Sequence, residues 1–148
     1  MAAQRALIVE NEPLIAIDLE ATLRALGLDV CGLASNPREA VELATSRRPD
    51  LVLMDVYLDE GLQGIKAAKW LRDACDIPVL FVTGHSDPDT VARIREALPE
   101  VHVCAKPVAP HRLAEAIAGA TGWQVPSGPA PSWPEMKEAR SSWGRASA

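Results

Sequence analysis

The sequence predicts an α/β fold, a parallel five-stranded sheet with helices on both faces. Three observations carry that expectation. Short apolar runs alternate with helix-period segments five times within about the first 120 residues. The runs are close to continuously apolar, as strands covered on both faces require, rather than alternating apolar and polar. Parallel neighbours also need right-handed crossovers, which lay the intervening helices against the sheet.

The elements follow in order. Ala6-Leu7-Ile8-Val9 is the first strand. Asn11 or Glu12 with Pro13 opens a helix with Ile15, Leu19, Leu23 and Leu26 on one stripe, and Gly27 is placed to stop it. Residues 28–33 are the second strand. Asn36-Pro37-Arg38-Glu39 combines an N-cap, a proline at the first helical position and a glutamate at N3, and the helix it starts ends before Pro49. Residues 50–55 (Asp-Leu-Val-Leu-Met-Asp) are the third and most central strand. After a Gly-containing loop, residues 65–74 form the third helix. Residues 77–82 are the fourth strand, with Pro78 near its start, where a missing N–H is tolerable. Asp87-Pro88 caps a helix through Leu98, residues 101–105 are the fifth strand, and a last helix over 110–121 is ended by Gly122.

Composition narrows the function classes. The chain of 148 residues is 48% hydrophobic and 24% charged, enough for one domain with a real core. Net charge is −5 with no Lys/Arg block, which argues against a nucleic-acid groove. No apolar run approaches a membrane span, and Met1-Ala2-Ala3-Gln4-Arg5 is not a signal peptide, so no membrane association and a cytoplasmic location are expected. Cys31, Cys75 and Cys104 are an odd set without CxxC spacing, expected to be reduced packing residues.

The expected domain is 1–122, with 123–148 as a tail of different character. Residues 125–131 are Pro/Gly linker chemistry. Ser132-Trp133-Pro134-Glu135 then offers a short helix over 133–143. Trp123, Trp133 and Trp143 make this stretch richer in aromatics than a disordered tail. Docking on the domain or on a partner, and a floppy tail, both stay open. Its 26 residues are too few for a helix-turn-helix or catalytic output domain, so none is expected, and Met1 argues mildly against a piece cut from a hybrid kinase.

Sites in such folds gather at the carboxyl ends of the strands. Strand one ends in Glu10-Asn11-Glu12, strand three in Asp55, strand four in Thr83-Gly84 and strand five in Lys106-Pro107. Carboxylates, a hydroxyl and an ammonium in one crevice suit phosphoryl transfer to a carboxylate. An aspartate attacks phosphorus in line, and the charge building on the phosphoryl oxygens asks for a hard cation and a lysine already in position. Mg²⁺ takes oxygen ligands and keeps waters, which fits one or two carboxylates plus a phosphate. Lys106 would meet one phosphoryl oxygen and the Thr83 hydroxyl another. Plainer roles exist too: Asp55 as a turn cap, Lys106 as a solvated loop lysine, Thr83 as strand packing, and Glu10 and Glu12 as complements to a helix N-terminus.

On these stretches the chain resembles the response-regulator receivers of two-component signalling. The resemblance rests on Leu7-Ile8-Val9-Glu10-Asn11-Glu12-Pro13, Leu51-Val52-Leu53-Met54-Asp55, Val79-Leu80-Phe81-Val82-Thr83-Gly84 and Lys106-Pro107, and it spans about residues 4–121. It implies a flavodoxin-like three-layer (βα)5 sandwich of strand order 2-1-3-4-5, Asp55 as phosphoacceptor and a cis Lys106–Pro107 peptide. It implies Mg²⁺ on Glu10, Asn11, Asp55 and the Tyr57 carbonyl. A histidine kinase or histidine phosphotransfer protein would be the donor. An unidentified downstream protein would read the face of the fourth helix, fifth strand and fifth helix, and a homodimer is compatible. Any enzymatic activity would be limited to its own phosphorylation and dephosphorylation. The competing reading is a non-phosphorylated binding adaptor. A flavin enzyme is disfavoured by the acidic loop after strand one.

Three departures qualify the resemblance. Asn11 stands where the family usually has a second carboxylate, so weaker metal affinity is expected, with Glu12 as partial compensation. Val103, beside His102, stands where the family often has a switching aromatic, which leaves Thr83 and the following loop to carry any change. Tyr57 and His85 flank the expected path of hydrolytic water and are expected to slow loss of the phosphoryl group, although His85 could instead position water.

Overall fold

The computed structural model describes residues 3–58, 61, 63–84 and 87–125. Five strands and five helices alternate: β1 (Arg5–Val9), α1 (Pro13–Ala25), β2 (Asp29–Ala34), α2 (Pro37–Arg47), β3 (Leu51–Met54), α3 (Gln63–Cys75), β4 (Val79–Thr83), α4 (Pro88–Ala97), β5 (His102–Ala105) and α5 (Pro110–Thr121). All strand pairs are parallel and the order is β2-β1-β3-β4-β5, the flavodoxin-like arrangement.

The period-2 geometry of a strand divides the core between the two faces. Leu7, Val9, Val52, Met54, Val79 and Phe81 point to one side, where α2, α3 and α4 supply Ala40, Ala44, Ala68, Leu71 and Ile94. Ala6, Ile8, Leu51, Leu53, Leu80 and Val82 point to the other, covered by Ala16, Leu19 and Leu23 of α1 and Leu113 and Ile117 of α5. Every residue of β3 and β4 is buried, whereas edge strands β2 and β5 are partly exposed.

Local chemistry sets the helix ends. Asn36 accepts from the Glu39 amide at 2.9 Å, and Asp87 accepts from the Thr90 amide at 3.1 Å. Each of these caps is followed immediately by a proline at the first helical position, Pro37 and Pro88. Glu39 departs from a simple capping box: its carboxylate accepts from the Asn36 side-chain amide at 2.8 Å and from the Ser35 hydroxyl at 2.6 Å. Gly27 at φ 92° and Gly122 at φ 82° follow α1 and α5 in the left-handed region, as expected of helix-ending glycines.

Some boundaries differ from the sequence expectation. Pro78 precedes β4 and contributes only its carbonyl, which accepts from the Val52 amide at 3.0 Å. Helix α3 begins two residues early, at Gln63. Register slips between Ala6 and Leu7 against β2, so that Val30 and Gly32 are paired and Cys31 is the extra residue of a bulge. The Arg47 guanidinium donates to the Cys31 carbonyl. All three cysteines are free. Past Gly122, Trp123 and Val125 pack against the α1/α5-side core, while the helix expected at 133–143 lies outside the described residues.

Candidate functional site

Backbone geometry assembles the site before any side chain acts. Glu10, Asp55 and Lys106 are each the first residue beyond a strand, and each amide continues the ladder one step further. The Glu10 amide donates to the Ala34 carbonyl at 2.9 Å, that of Asp55 to Val9 at 3.0 Å and that of Lys106 to Thr83 at 2.9 Å. The three side chains are thereby fixed at one rim of the sheet. Thr83 closes β4 alongside them, fully buried and in register with Ala105.

The side chains converge. The Lys106 ammonium donates to Glu10 Oε2, and to Asp55 Oδ2 at 3.2 Å. Glu10 is 3% exposed and Asp55 7%. Glu10 Oε1 also accepts from the Glu12 amide at 3.2 Å, at the mouth of α1, and Asp55 Oδ1 accepts from the Tyr57 amide at 3.4 Å. Burial pushes the Glu10 carboxyl above the ordinary carboxylate range. The Lys106 hydrogen bond opposes this, and the Asp55 charge adds to the rise. One ammonium between two carboxylates leaves the group one negative charge in excess. Hard oxygens grouped this way, with the exposed Asn11 amide and the Tyr57 carbonyl on the adjoining loops, are a set that suits a small divalent cation keeping some of its waters. Among the described residues no three His, Cys, Asp or Glu side chains cluster as a metal site, so neutral oxygens and water would have to complete the shell.

A cleft of about 400 Å³ opens over this group, lined by Asp55 and Lys106 together with the apolar Ile15, Leu19, Pro107 and Val108. A cleft of about 610 Å³ lies at the opposite ends of the strands, between Arg48, Asp50, Asp76 and Trp123. It holds none of the converging carboxylates, so size alone does not mark the site.

Two residues were not legible from sequence patterns. A Cβ on Gly64, in the first turn of α3, would lie 1.9 Å from the Asp55 carbonyl oxygen, so the loop that carries Asp55 can fold back only over a glycine. A glycine where a helix would prefer alanine was the available signal. Thr90 is the other. Glu10, Asp55, Thr83 and Thr90 are the buried polar residues among those described, and Thr90 is the one outside the strand ends. Tyr57 is half-buried against the α3/α4-side core, and His85 lies outside the described residues.

The sequence model of the response regulator receiver domain matches residues 6–118. The chain belongs to this family. Among receiver-containing relatives, it is 37% identical over 123 residues to the phyllosphere-induced regulator PhyR of Methylorubrum extorquens, covering 82% of this chain and 45% of that protein. It is 38% identical to the polar-differentiation response regulator DivK of Brucella anthropi, over 59% of this chain and 72% of that one. The chain thus spans less than half the length of the PhyR it matches. Among solved receivers, the receiver domain of a modulated diguanylate cyclase from Desulfovibrio desulfuricans G20 superposes with a TM-score of 0.74 at 36% identity, over 82% of this chain and 95% of that one. The PhyR receiver domain of Erythrobacter litoralis gives 0.71 at 30%, over 89% and 98%. The cis Lys106–Pro107 peptide matches the receiver expectation. No described helix is long and apolar enough to cross a membrane.

Proposed function

We propose that this receiver accepts a phosphoryl group on Asp55 from a phosphohistidine of a histidine kinase or histidine phosphotransfer protein. The observation that carries the reading is Lys106 bridging Glu10 and Asp55, with Lys106 and Asp55 lining an open cleft. An Asp55 carboxylate oxygen forms the new bond to phosphorus as the P–N bond to the donor imidazole breaks, and the electron pair leaves on the imidazole nitrogen. Lys106 exchanges its bond to Asp55 for one to a phosphoryl oxygen while Glu10 retains its hold on the ammonium. Thr83, at the adjacent strand end, donates its hydroxyl to a second phosphoryl oxygen. Glu10, Asn11, Asp55 and the Tyr57 carbonyl would hold Mg²⁺, which when bound supplies positive charge against the phosphoryl oxygens.

The donor would approach over the cleft, along the α1 side that carries Ile15 and Leu19. Output would run through the α4-β5-α5 face to a downstream protein, in a cytoplasmic phosphorelay. One PhyR, from Bartonella quintana, is described as an anti-anti-sigma factor, which makes a regulator of transcription initiation one candidate class of partner. The domain would end near residue 122, with the following stretch as a tail.

Incubation with acetyl phosphate and Mg²⁺, read by intact mass, tests the reading. The wild-type chain should gain one phosphoryl group, and Asp55→Asn should gain none. A second reading, a non-phosphorylated adaptor, is favoured by Asn11 in place of a carboxylate. It would be supported by a wild-type chain that gains no mass while still binding its partner.

A further inference from the structure

Thr90 is buried, polar and unused by the chemistry above, and its surroundings give it a direction. Its hydroxyl donates to Asp87 Oδ1 at 2.8 Å, and its amide donates to Asp87 Oδ2 at 3.1 Å. An ionised carboxylate only accepts, and a hydroxyl has one proton, so the proton of Thr90 is committed to Asp87. The Tyr57 hydroxyl, 3.5 Å from Thr90 Oγ1, is therefore the donor in that contact. At its other end Tyr57 donates its amide to Asp55 Oδ1 at 3.4 Å. One directed chain thus runs from the Asp55 carboxylate through Tyr57 and Thr90 to the N-cap of α4. Thr90 itself is 4% exposed, so little water competes for its hydroxyl.

We propose that Thr90, held by Asp87, is a positioning residue for the acceptor site. It anchors the phenol of Tyr57 and so fixes the Tyr57 backbone against Asp55. The proposal rests on the phosphoacceptor reading for its consequence and on the geometry alone for the link. The backbone that is fixed is the one whose amide donates to Asp55 Oδ1 and whose carbonyl the proposed function assigns to the cation. The chain also ties that loop to the start of α4. With valine at position 103, β5 offers no aromatic at that position to make such a connection. The Tyr57–Thr90 contact is the loosest step, so it is the step that a change at Asp55 would tighten or release.

Tyr57 is the single tyrosine of the chain, so 3-fluorotyrosine incorporation gives one fluorine resonance. The wild-type 148-residue chain, Thr90→Val and Thr90→Ser are compared without metal, then titrated with Mg²⁺. Thr90→Val should displace the metal-free resonance, and Thr90→Ser, which keeps the hydroxyl, should restore it. Tyr57→Phe and Thr90→Val should each weaken Mg²⁺ affinity by roughly fivefold, and the double variant should be no weaker than either alone, as expected of two ends of one link. Urea unfolding confirms that each variant is folded before it is compared. A metal-free resonance unchanged in Thr90→Val would overturn the link. A double variant weaker by the product of the two single effects would overturn it as well. A wild type that binds no Mg²⁺ would instead remove the acceptor-site consequence, while the metal-free spectra still decide whether the link exists.

Discussion

Asn11 removes one formal charge from the mouth of the site, and the exposed position of its side chain leaves room to restore it. Asn11→Asp should lower the Mg²⁺ Kd by roughly tenfold, the effect of a unit charge a few ångströms away in a solvated cleft. A titration giving a Kd within a factor of two of wild type would mean that Glu12 already supplies the missing charge. Gly64 is the opposite case, where nothing can be added. In Gly64→Ala the methyl carbon would meet backbone rather than a side chain that can turn aside. The start of α3 or the Asp55 loop must then shift, at a cost of about 2 kcal/mol or more by urea denaturation, with slower phosphorylation of the remaining folded protein. The placement of Glu10, Asp55, Thr83 and Lys106 at one rim is readable because each ends an apolar run, and run endings survive in a one-dimensional pattern. Gly64 and Thr90 are set by close approach of segments that the sequence does not show as neighbours.

At the scale of elements, the signals that worked were those that act within one turn. Asn36, Pro37 and Glu39 are close enough to cooperate without tertiary help, and the structure uses all three. Asn36→Ala removes the acceptor for the Glu39 amide and a partner of the Glu39 carboxylate together. It should cost about 1 kcal/mol in urea-derived stability, and a loss below a few tenths would assign the start of α2 to Pro37 and tertiary packing instead. The α1 stripe was legible only in part. Leu19 and Leu23 are buried, but the centre of the contact includes Ala16, with Ile15 and Leu26 at its margins. A small residue lets the helix approach the sheet closely, and hydrophobicity patterns give small residues little weight. Strand β4 starts after Pro78 because the ladder there requires an N–H that proline lacks.

At the scale of the whole molecule, alternation of elements predicted the layers, while strand order came from the family resemblance. Periodicity says which residues are buried but not which strand lies beside which. The order puts β2 and β5 at opposite edges, and with them Cys31 and Cys104. Burial pushes both thiols above their ordinary value, opposed by the charge of Arg5 at Cys31 and of Arg112 at Cys104. The folded chain therefore holds its thiol protons to higher pH than the unfolded chain does. The stability this contributes is fully present below the unfolded thiol value, about 8.5, and is lost as pH rises through the folded values. Urea midpoints should accordingly stay level between about pH 7 and 8 and decline above about pH 9, with a shallower decline in the Cys31→Ala/Cys104→Ala variant. An equal slope in the two proteins would assign the alkaline loss to other groups. Cys31 occupies a bulge whose carbonyl is tied to α2 by Arg47, and Cys104 lies under α5, so each thiolate would be formed against a different helix. If the sheet and both helical layers unfold as one unit, the two single variants will each recover part of the slope and their contributions will add.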